Sequence, residues 1–439
     1  MLFGTSGIRG FYGREITPHL AMGIANAFSE MGERIAIASD LRETSEILRE
    51  AAIAGMLARG ADVLELGEVP TPTLAWNTQM RRGKGIMITA SHNPEEYNGL
   101  KLYRNGREIS KAEEKKVEAA YAKGMVLAEW NQAGRRIPYS ESAHDHIEMI
   151  MKNVDAKKIS KAALTVVLDC NGVGSAITPL LLGKMGCRVI SLNCAGTGFC
   201  RGSEPNAENL VGLGKTVRAS GANLGIAHDG DADRMMVVDE NGEMLGLDVQ
   251  FAIAIERELA QKKGTVATTV EASLLIKEVI EKNNGKNYVV GVGSANVSEA
   301  MERLGEEAVF GGEPAGEYIY KNGVNTPDGI MAAAKFLEIA AEMGSLAKLG
   351  KKYVAYPILR EKFTCQNRQE AMAGIANSLK LGGKVNAIDG IRHDFEDGFV
   401  LVRASGTESA IRLTAEFRSG KRLDEMAEKA KKEIKKAIQ

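Results

Sequence analysis

"GIMITASHNPEEYNGLKLY", Gly85–Tyr103, sets an apolar run, a polar loop and a second extended run in immediate succession. Ile86 to Thr89 has the composition of a buried strand, and Ser91 stands just beyond its C-terminal end, where α/β proteins place their sites. Pro94 fixes a turn, and Asn98-Gly99 signals a second turn leading into Leu100 to Tyr103. That geometry returns Lys101 beside Ser91 on a hairpin. The neighbours Thr89-Ala90 and His92-Asn93 exclude a G-x-S-x-G nucleophile elbow. His92 is a poor base for Ser91, because adjacent side chains diverge along extended backbone.

Outward from this stretch, strand-like runs alternate with helical spacing. Thr17-Pro18 offers an N-cap and a first-turn proline for a helix carrying Leu20, Ile24, Phe28 and Met31 and ending at Gly32. Ile35 to Ala38, a helix over Ser45 to Arg59, and Val63 to Leu66 continue the rhythm. It returns as Leu164 to Asp169, Ser175 to Met185 and Val189 to Leu192. It returns again as Thr265 to Val270, Ser273 to Asn283 and Tyr288 to Val292. Such β-α-β order predicts parallel or mixed sheets covered by helices. Asn131 to Ser140 reads as a linker, and a second break falls in Ala341 to Tyr353. The tail has strand patterns at Tyr356 to Cys365 and Phe399 to Arg403, then a basic amphipathic helix over Lys421 to Ile438.

The 439 residues suffice for about three or four domains. Lys+Arg 56 against Asp+Glu 57 leaves no global field for nucleic acid or an acidic membrane. No apolar run reaches the roughly 20 residues that a spanning helix needs, and Met1-Leu2-Phe3-Gly4 does not open a signal peptide. Five cysteines, without a C-x-x-C pair, fit a reducing compartment and disfavour zinc. A soluble, cytoplasmic protein is the expectation, with neither nucleic acid nor membrane as partner.

In "AHDGDADRMMVVDENG", Ala227–Gly242, Asp229, Asp231 and Asp233 stand at alternate positions. Carboxylates so spaced share a side of extended backbone and repel one another unless a cation lies between them. Mg²⁺ suits them, since it takes a few carboxylates and completes its shell with water or phosphate. Asp229, Asp231, Asp233 and Glu240 also occupy positions 1, 3, 5 and 12 of a calcium loop. Arg234 stands where that loop needs glycine, and the flanks read as strands, so the extended Mg²⁺ turn is preferred over the calcium loop and over a solvated acidic turn. Serine, lysine and a metal turn suit phosphoryl transfer better than acyl transfer.

"FGGEPAGEYIY", Phe310–Tyr320, lets backbone approach a ligand, with Glu313 and Glu317 as acceptors for hydroxyl or ammonium groups; an ordinary exposed glycine-rich connection is the alternative. "VRASGTESAIRL", Val402–Leu413, gathers Arg403, Ser405, Gly406 and Thr407 into a phosphate cradle. Arg412 adds a second charge there or pairs with an acid.

Together these stretches resemble the α-D-phosphohexomutase family, which includes phosphoglucomutases, phosphomannomutases and phosphoglucosamine mutases. "FGTSGIRG", "TASHNP", "DGDADR", "GGEPAGE" and "RASGTE" follow in family order across nearly the whole chain. The resemblance implies three related α/β domains with mixed sheets plus a smaller C-terminal α+β domain around a central cleft. The boundaries are then 1–140, with the phosphoserine loop, and 141–240, with the Mg²⁺ turn. Residues 241–352 carry the sugar loop, and 353–439 the phosphate loop.

By position, Ser91 matches the phosphoserine, and Asp229, Asp231 and Asp233 the Mg²⁺ ligands, with the Ser91 phosphate completing the site. Arg9 and Lys101 match groups that assist proton transfer or stabilise charge beside the serine. His92, Arg234, Glu313, Glu317 and the Arg403, Ser405, Gly406, Thr407 loop match substrate-binding positions. The implied activity interconverts 6-phospho and 1-phospho sugars through a bound sugar 1,6-bisphosphate, which serves as intermediate and activator. The small-molecule phosphosugar is the implied partner, and the chain is expected as a monomer or homodimer.

Several positions depart from the family. Ala315 and Glu317 stand in the sugar loop where Gly-Glu-x-Ser-Gly-His is usual, so a histidine is lost. "SDLRET", Ser39–Thr44, keeps only Asp40 and Arg42 of the usual Arg-Asp-Thr-Arg. Ser294 replaces a histidine or acid, and Ser409-Ala410 replaces Pro-Lys. Loops of this style resemble archaeal members. An acid at Glu317 favours an amino sugar, making glucosamine 6-phosphate the leading substrate. Glucose or mannose phosphates come next and pentose phosphates last. A phosphatase discharging phospho-Ser91 to water, or a silent sugar-phosphate binder, are the readings from other classes.

Overall fold

The computed structural model describes residues 2–438 apart from 5, 197, 407 and 408. Lys84–Ile88 is a strand buried along its whole length, and it pairs antiparallel with Tyr97–Arg104, setting Met87 opposite Lys101. The sheet runs Ile8–Phe11, Tyr97–Arg104, Lys84–Ile88, Arg34–Ser39, Asp62–Glu68, Arg136–Pro138. Its first two junctions are antiparallel and the other three parallel.

Successive side chains alternate faces, and here both faces are covered. Ile35, Ile37, Ile86 and Ile88 pack with Leu20, Ile24 and Phe28 of the helix Pro18–Phe28 and with Leu48, Ile53 and Met56 of Ser45–Ala58. The out-of-phase residues Ala36, Ala38, Met87 and Tyr103 pack with Leu74 and Ala75 of Thr71–Arg81. A sheet buried on both faces needs continuous apolar strands, which is why the run before Ser91 shows no polar alternation.

A second sheet orders Met235–Val238, Leu224–His228, Thr165–Asp169 and Arg188–Leu192, antiparallel at its first junction and parallel thereafter. In a third, Thr265–Thr269 lies between Lys286–Val290 and Ala308–Glu313, parallel to both. The last sheet is antiparallel, ordered Ile358–Thr364, Ala410–Phe417, Gly398–Ala404, Ile391–Asp394, Lys384–Asn386. Val400, Val402, Ile411 and Leu413 bury one face of it against Met426, Ala430 and Ile434 of the helix Gly420–Ala437. The chain is α/β with mixed sheets, closed by an antiparallel α+β region. Among the described residues, no helix is long and apolar enough to cross a membrane.

Three local differences from the sequence reading have physical causes. Asn98-Gly99 is not a turn but part of the strand Tyr97–Arg104. Asn98 Nδ2 donates to Thr44 Oγ1 at 2.8 Å and Ser45 Oγ at 3.0 Å. A Cβ on Gly99 would lie 2.1 Å from the Ile8 carbonyl oxygen, so the close strand approach requires glycine there. The linker Asn131–Ser140 contains the edge strand Arg136–Pro138, anchored by Arg136 on Glu50 and Glu65. The expected break in Ala341–Tyr353 does fall there, after Lys351, but the residues before it are largely helical, formed by Gly329–Met343 and Leu346–Gly350. Glu240 accepts there from the Ser345 hydroxyl and from the Leu346 and Ala347 amides.

The described residues gather into two compact units. One runs to Gln250 and includes Ala315–Lys351; the other comprises Phe251–Pro314 and the residues from Lys352 onward.

Candidate functional site

Ser91 is 2% exposed and sits at φ +52, a left-handed conformation that costs a non-glycine residue about 1 kcal/mol or more. A dense set of hydrogen bonds holds it. Its amide donates to Thr89 Oγ1 at 2.9 Å, and the Thr89 hydroxyl donates to Asp40 Oδ2 at 2.7 Å. The buried Arg42, paired with Asp40 at 3.0 Å, donates to the carbonyls of Ser91 at 2.8 Å, Asn93 at 2.7 Å and Tyr97 at 3.0 Å. Ser203 Oγ adds a bond to the Asn93 carbonyl at 2.9 Å. Arg9 reaches the same loop, donating to Asn93 Oδ1 at 3.2 Å and to the Ala90 carbonyl at 3.4 Å.

The expected divergence of His92 from Ser91 does not occur, since His92 Nδ1 lies 3.3 Å from Ser91 Oγ. Positive φ at Ser91 breaks the extended alternation on which that expectation rested. Arg234 first, then burial and Arg9, keep the His92 imidazole well below its usual pKa and therefore neutral.

Asp229, Asp231 and Asp233 occupy the tight connection between Leu224–His228 and Met235–Val238. Each offers one carboxylate oxygen within 4.8 Å of the others, and all three are buried. Ser91 Oγ donates to Asp229 Oδ2 at 2.9 Å, across 138 residues of sequence. Gly230 makes the approach possible, because a Cβ there would lie 2.7 Å from both the Ser91 carbonyl oxygen and the Phe199 ring. Lys101 Nζ spans Asp231 at 2.8 Å and Asp233 at 2.7 Å. Thr71 Oγ1 donates to Asp231 Oδ2 at 2.7 Å.

The donor set fits a hard divalent cation. Asp231 Oδ1 and Asp233 Oδ1 are buried without a hydrogen-bond partner, an expensive condition that coordination relieves. Every candidate ligand is oxygen, as Mg²⁺ prefers. Burial, with Asp233 and Asp231 as like charges, pushes Asp229 well above the usual carboxylate range; burial and Asp231 push Asp233 up to about 6. Burial also opposes charge on Asp231, but Lys101 and Thr71 overcome it and hold that carboxyl below its usual value. Lys101 is penalised by burial, yet Asp231 and Asp233 keep it firmly protonated.

Arg234 pairs with Glu317 through Nε at 2.9 Å and Nη2 at 2.7 Å. A β-bridge between the same two residues and a bond from the Met235 amide to the Gly316 carbonyl at 3.1 Å align them. The Glu317 carboxylate is thus already engaged by a guanidinium.

In the other compact unit, Arg403 lies near the end of Gly398–Ala404, directly across from Arg412. Arg403 Nε donates to Glu271 Oε1 at 2.8 Å, which offsets the like charges. Ser405 is buried, its amide bonded to the Ala410 carbonyl at 2.8 Å, and its own carbonyl accepts from Arg368. Gly406 is exposed, and Thr407 lies outside the described residues. Glu313 is buried and accepts from the Gly293 amide at 3.1 Å.

Thr71, Ser203 and Glu271 carry no motif and were not legible as site residues, and Thr89, the first residue of "TASHNP", had no assigned role. Arg42 and Asp40 stood in "SDLRET" without an assigned role. The signals for them were their retention from the family pattern and an acid and an arginine two residues apart, directly after an apolar strand.

Residues 1–126, 144–242, 248–356 and 361–433 match, in order, domains I, II and III and the C-terminal domain described as phosphoglucomutase/phosphomannomutase. A Methanosarcina acetivorans protein named "Probable phosphoglucosamine mutase" is 40% identical over 445 residues, covering 100% of this chain and 99% of its own. A phosphoglucomutase/phosphomannomutase family protein of Burkholderia thailandensis has a similar fold, with a TM-score of 0.86 at 24% identity over 99% of this chain and 97% of that one. The Aspergillus fumigatus N-acetylphosphoglucosamine mutase, solved with GlcNAc-6P and magnesium, gives a TM-score of 0.62 at 16% identity over 100% and 96%. This chain belongs to the phosphoglucomutase/phosphomannomutase family.

Proposed function

We propose that the chain is a phosphoglucosamine mutase, interconverting glucosamine 6-phosphate and glucosamine 1-phosphate through a phosphoserine at Ser91 and a bound sugar 1,6-bisphosphate. The observation that carries the chemistry is the 2.9 Å contact of Ser91 Oγ with Asp229, in a cluster of three carboxylates and Lys101. The name borne by the 40%-identical, full-length relative supports glucosamine as the sugar.

Asp229, Asp231, Asp233 and a phosphate on Ser91 would hold Mg²⁺, whose contribution when bound is to neutralise charge on the transferring phosphoryl group. In the first transfer the Ser91 Oγ–phosphorus bond breaks and phosphorus bonds to the free hydroxyl oxygen of the sugar phosphate. The hydroxyl proton ends on the Ser91 oxygen, so atoms and charge balance. The bisphosphate then presents its other phosphate, and the reverse exchange restores phosphoserine and releases the isomer.

Each residue has a task in this scheme. Arg42 and Asp40 fix the loop so that Ser91 Oγ keeps one position, which in-line transfer requires. Lys101 and Arg9 supply positive charge beside the serine, and His92 offers a neutral nitrogen within reach of its oxygen. Glu317 holds Arg234 toward the reacting phosphate; with its carboxylate so engaged, the case for an amino sugar rests on the relatives. Glu313 reads sugar hydroxyls. Arg403, Ser405, Gly406 and Thr407 grip the phosphate that does not react, supplying binding energy remote from the chemistry.

Initial rates on glucosamine 6-phosphate, glucose 1-phosphate, mannose 1-phosphate and ribose 1-phosphate test the substrate. Glucosamine phosphate is expected to be the best of the four. A preference of more than about tenfold for a neutral hexose phosphate overturns that assignment in favour of a phosphoglucomutase/phosphomannomutase activity.

A further inference from the structure

A cavity of about 470 Å³ opens at the end of the first sheet opposite to Ser91. It is lined where the strands Arg34–Ser39 and Lys84–Ile88 begin, whereas Asp40 and Ser91 follow the ends of those strands. At about 3.3 Å per residue the two places are roughly 15 Å or more apart, so the cavity is separate from the serine centre. Its volume lies in the range of small-molecule sites.

The lining is strongly one-signed. Arg34, Arg81, Arg82, Lys84 and Arg104 face it, with Glu33 as the one acid among the lining residues. Three of these cations are committed elsewhere. Lys84 is held by Glu33 at 2.6 Å and Glu30 at 3.3 Å, Arg104 by Glu113 at 2.7 Å, and Arg81 lies over the Tyr139 ring at 4.5 Å. Arg34 and Arg82 are exposed and pair with no carboxylate among the described residues. The dipole of the helix Thr71–Arg81 favours cations at its C-terminus, which accounts for Arg81 and Arg82 but not for Arg34 on a strand.

A second observation is independent of the charges. Asn77, 2% exposed, lines the same cavity with both its amide nitrogen and its amide oxygen buried and without a hydrogen-bond partner. An amide left so is costly unless something occupies the space beside it. Ala36 and Leu64 give the cavity an apolar floor.

We propose that this cavity is a second ligand site, for an organic diphosphate of the nucleoside diphosphate class. The uncharged body lies on Ala36 and Leu64, and Asn77 turns its buried amide to exchange hydrogen bonds with it, while the phosphates meet Arg34 and Arg82 at the rim.

Titration calorimetry on the full-length protein, with ADP and inorganic pyrophosphate as probes, tests the site. Mutase rates and melting temperature are measured on the same samples. ADP is expected to bind with undiminished affinity in saturating glucosamine 6-phosphate. Arg34→Glu/Arg82→Glu should weaken both probes about tenfold or more while leaving kcat/KM for the phosphosugar within about twofold. Asn77→Leu, which fills the space without polar groups, should weaken ADP selectively and leave pyrophosphate unchanged. Absence of ADP binding at millimolar concentration, unaltered ADP affinity in both variants, or full competition by glucosamine 6-phosphate each overturns the proposal.

Discussion

In the proposed reaction, the surroundings of Ser91 and those of Arg403 would handle phosphate by different constructions. Ser91 is buried in a left-handed conformation and held by Arg42, Thr89, Ser203 and Asp229, which come from widely separated parts of the chain. Arg403 lies near the end of an antiparallel strand, opposite Arg412, with Glu271 as its ion-pair partner. A reacting oxygen must keep one position to attack in line, so its environment is over-determined. A group that grips and releases a phosphate needs charge and backbone donors more than a single fixed geometry.

That contrast can be broken at its strongest point first. Ser91→Ala should lower kcat on the order of 10⁴-fold or more while preserving the melting temperature, because the methyl fits the space and only the reacting oxygen is lost. Asp231→Asn, or chelation of divalent ions in the unmodified protein, is expected to cost on the order of 10³-fold in kcat. Readdition of Mg²⁺ should rescue the chelated enzyme but not the variant.

Arg403→Ala should act differently, lowering kcat/KM about 10²-fold mainly through KM, with phosphorylation of Ser91 unaffected. Arg42→Lys keeps the charge but cannot reach several carbonyls at once. Roughly 3 kcal/mol of stability should disappear in denaturant titration, with kcat falling about tenfold. Glu317→Gln is the mildest test, expected to cost a few-fold in kcat by loosening Arg234, and Glu317→Asp should recover part of the loss. A purely KM-based effect at Arg42, or a purely kcat-based effect at Arg403, would erase the distinction between the two regions.

Much of this was legible in the residues. The buried sheet announced itself as apolar runs because neither face meets water, and the aspartate spacing pointed to an oxygen-ligand metal turn. The place of Ser91 after a strand, and so its candidacy, could also be read from the residues. The contacts that fix it could not. Arg42 forms bonds to carbonyls 49 to 55 residues away, and carbonyls carry no side-chain identity that a sequence could display. Thr71 meets Asp231 across 160 residues, with nothing local to distinguish it from an ordinary helix-start threonine. Asn98-Gly99 misled for a related reason: its turn chemistry serves a tight strand approach. Glu317 read as a ligand-facing acid, since its partner Arg234 is 83 residues distant.

Intact-mass analysis of the active protein, followed by a single turnover with unlabelled sugar monophosphate, tests the central claim most directly. One phosphate per chain, located on Ser91 and transferred to the sugar as a 1,6-bisphosphate, is the predicted result. Full mutase activity from a protein that carries no phosphate on Ser91 at any stage would contradict it.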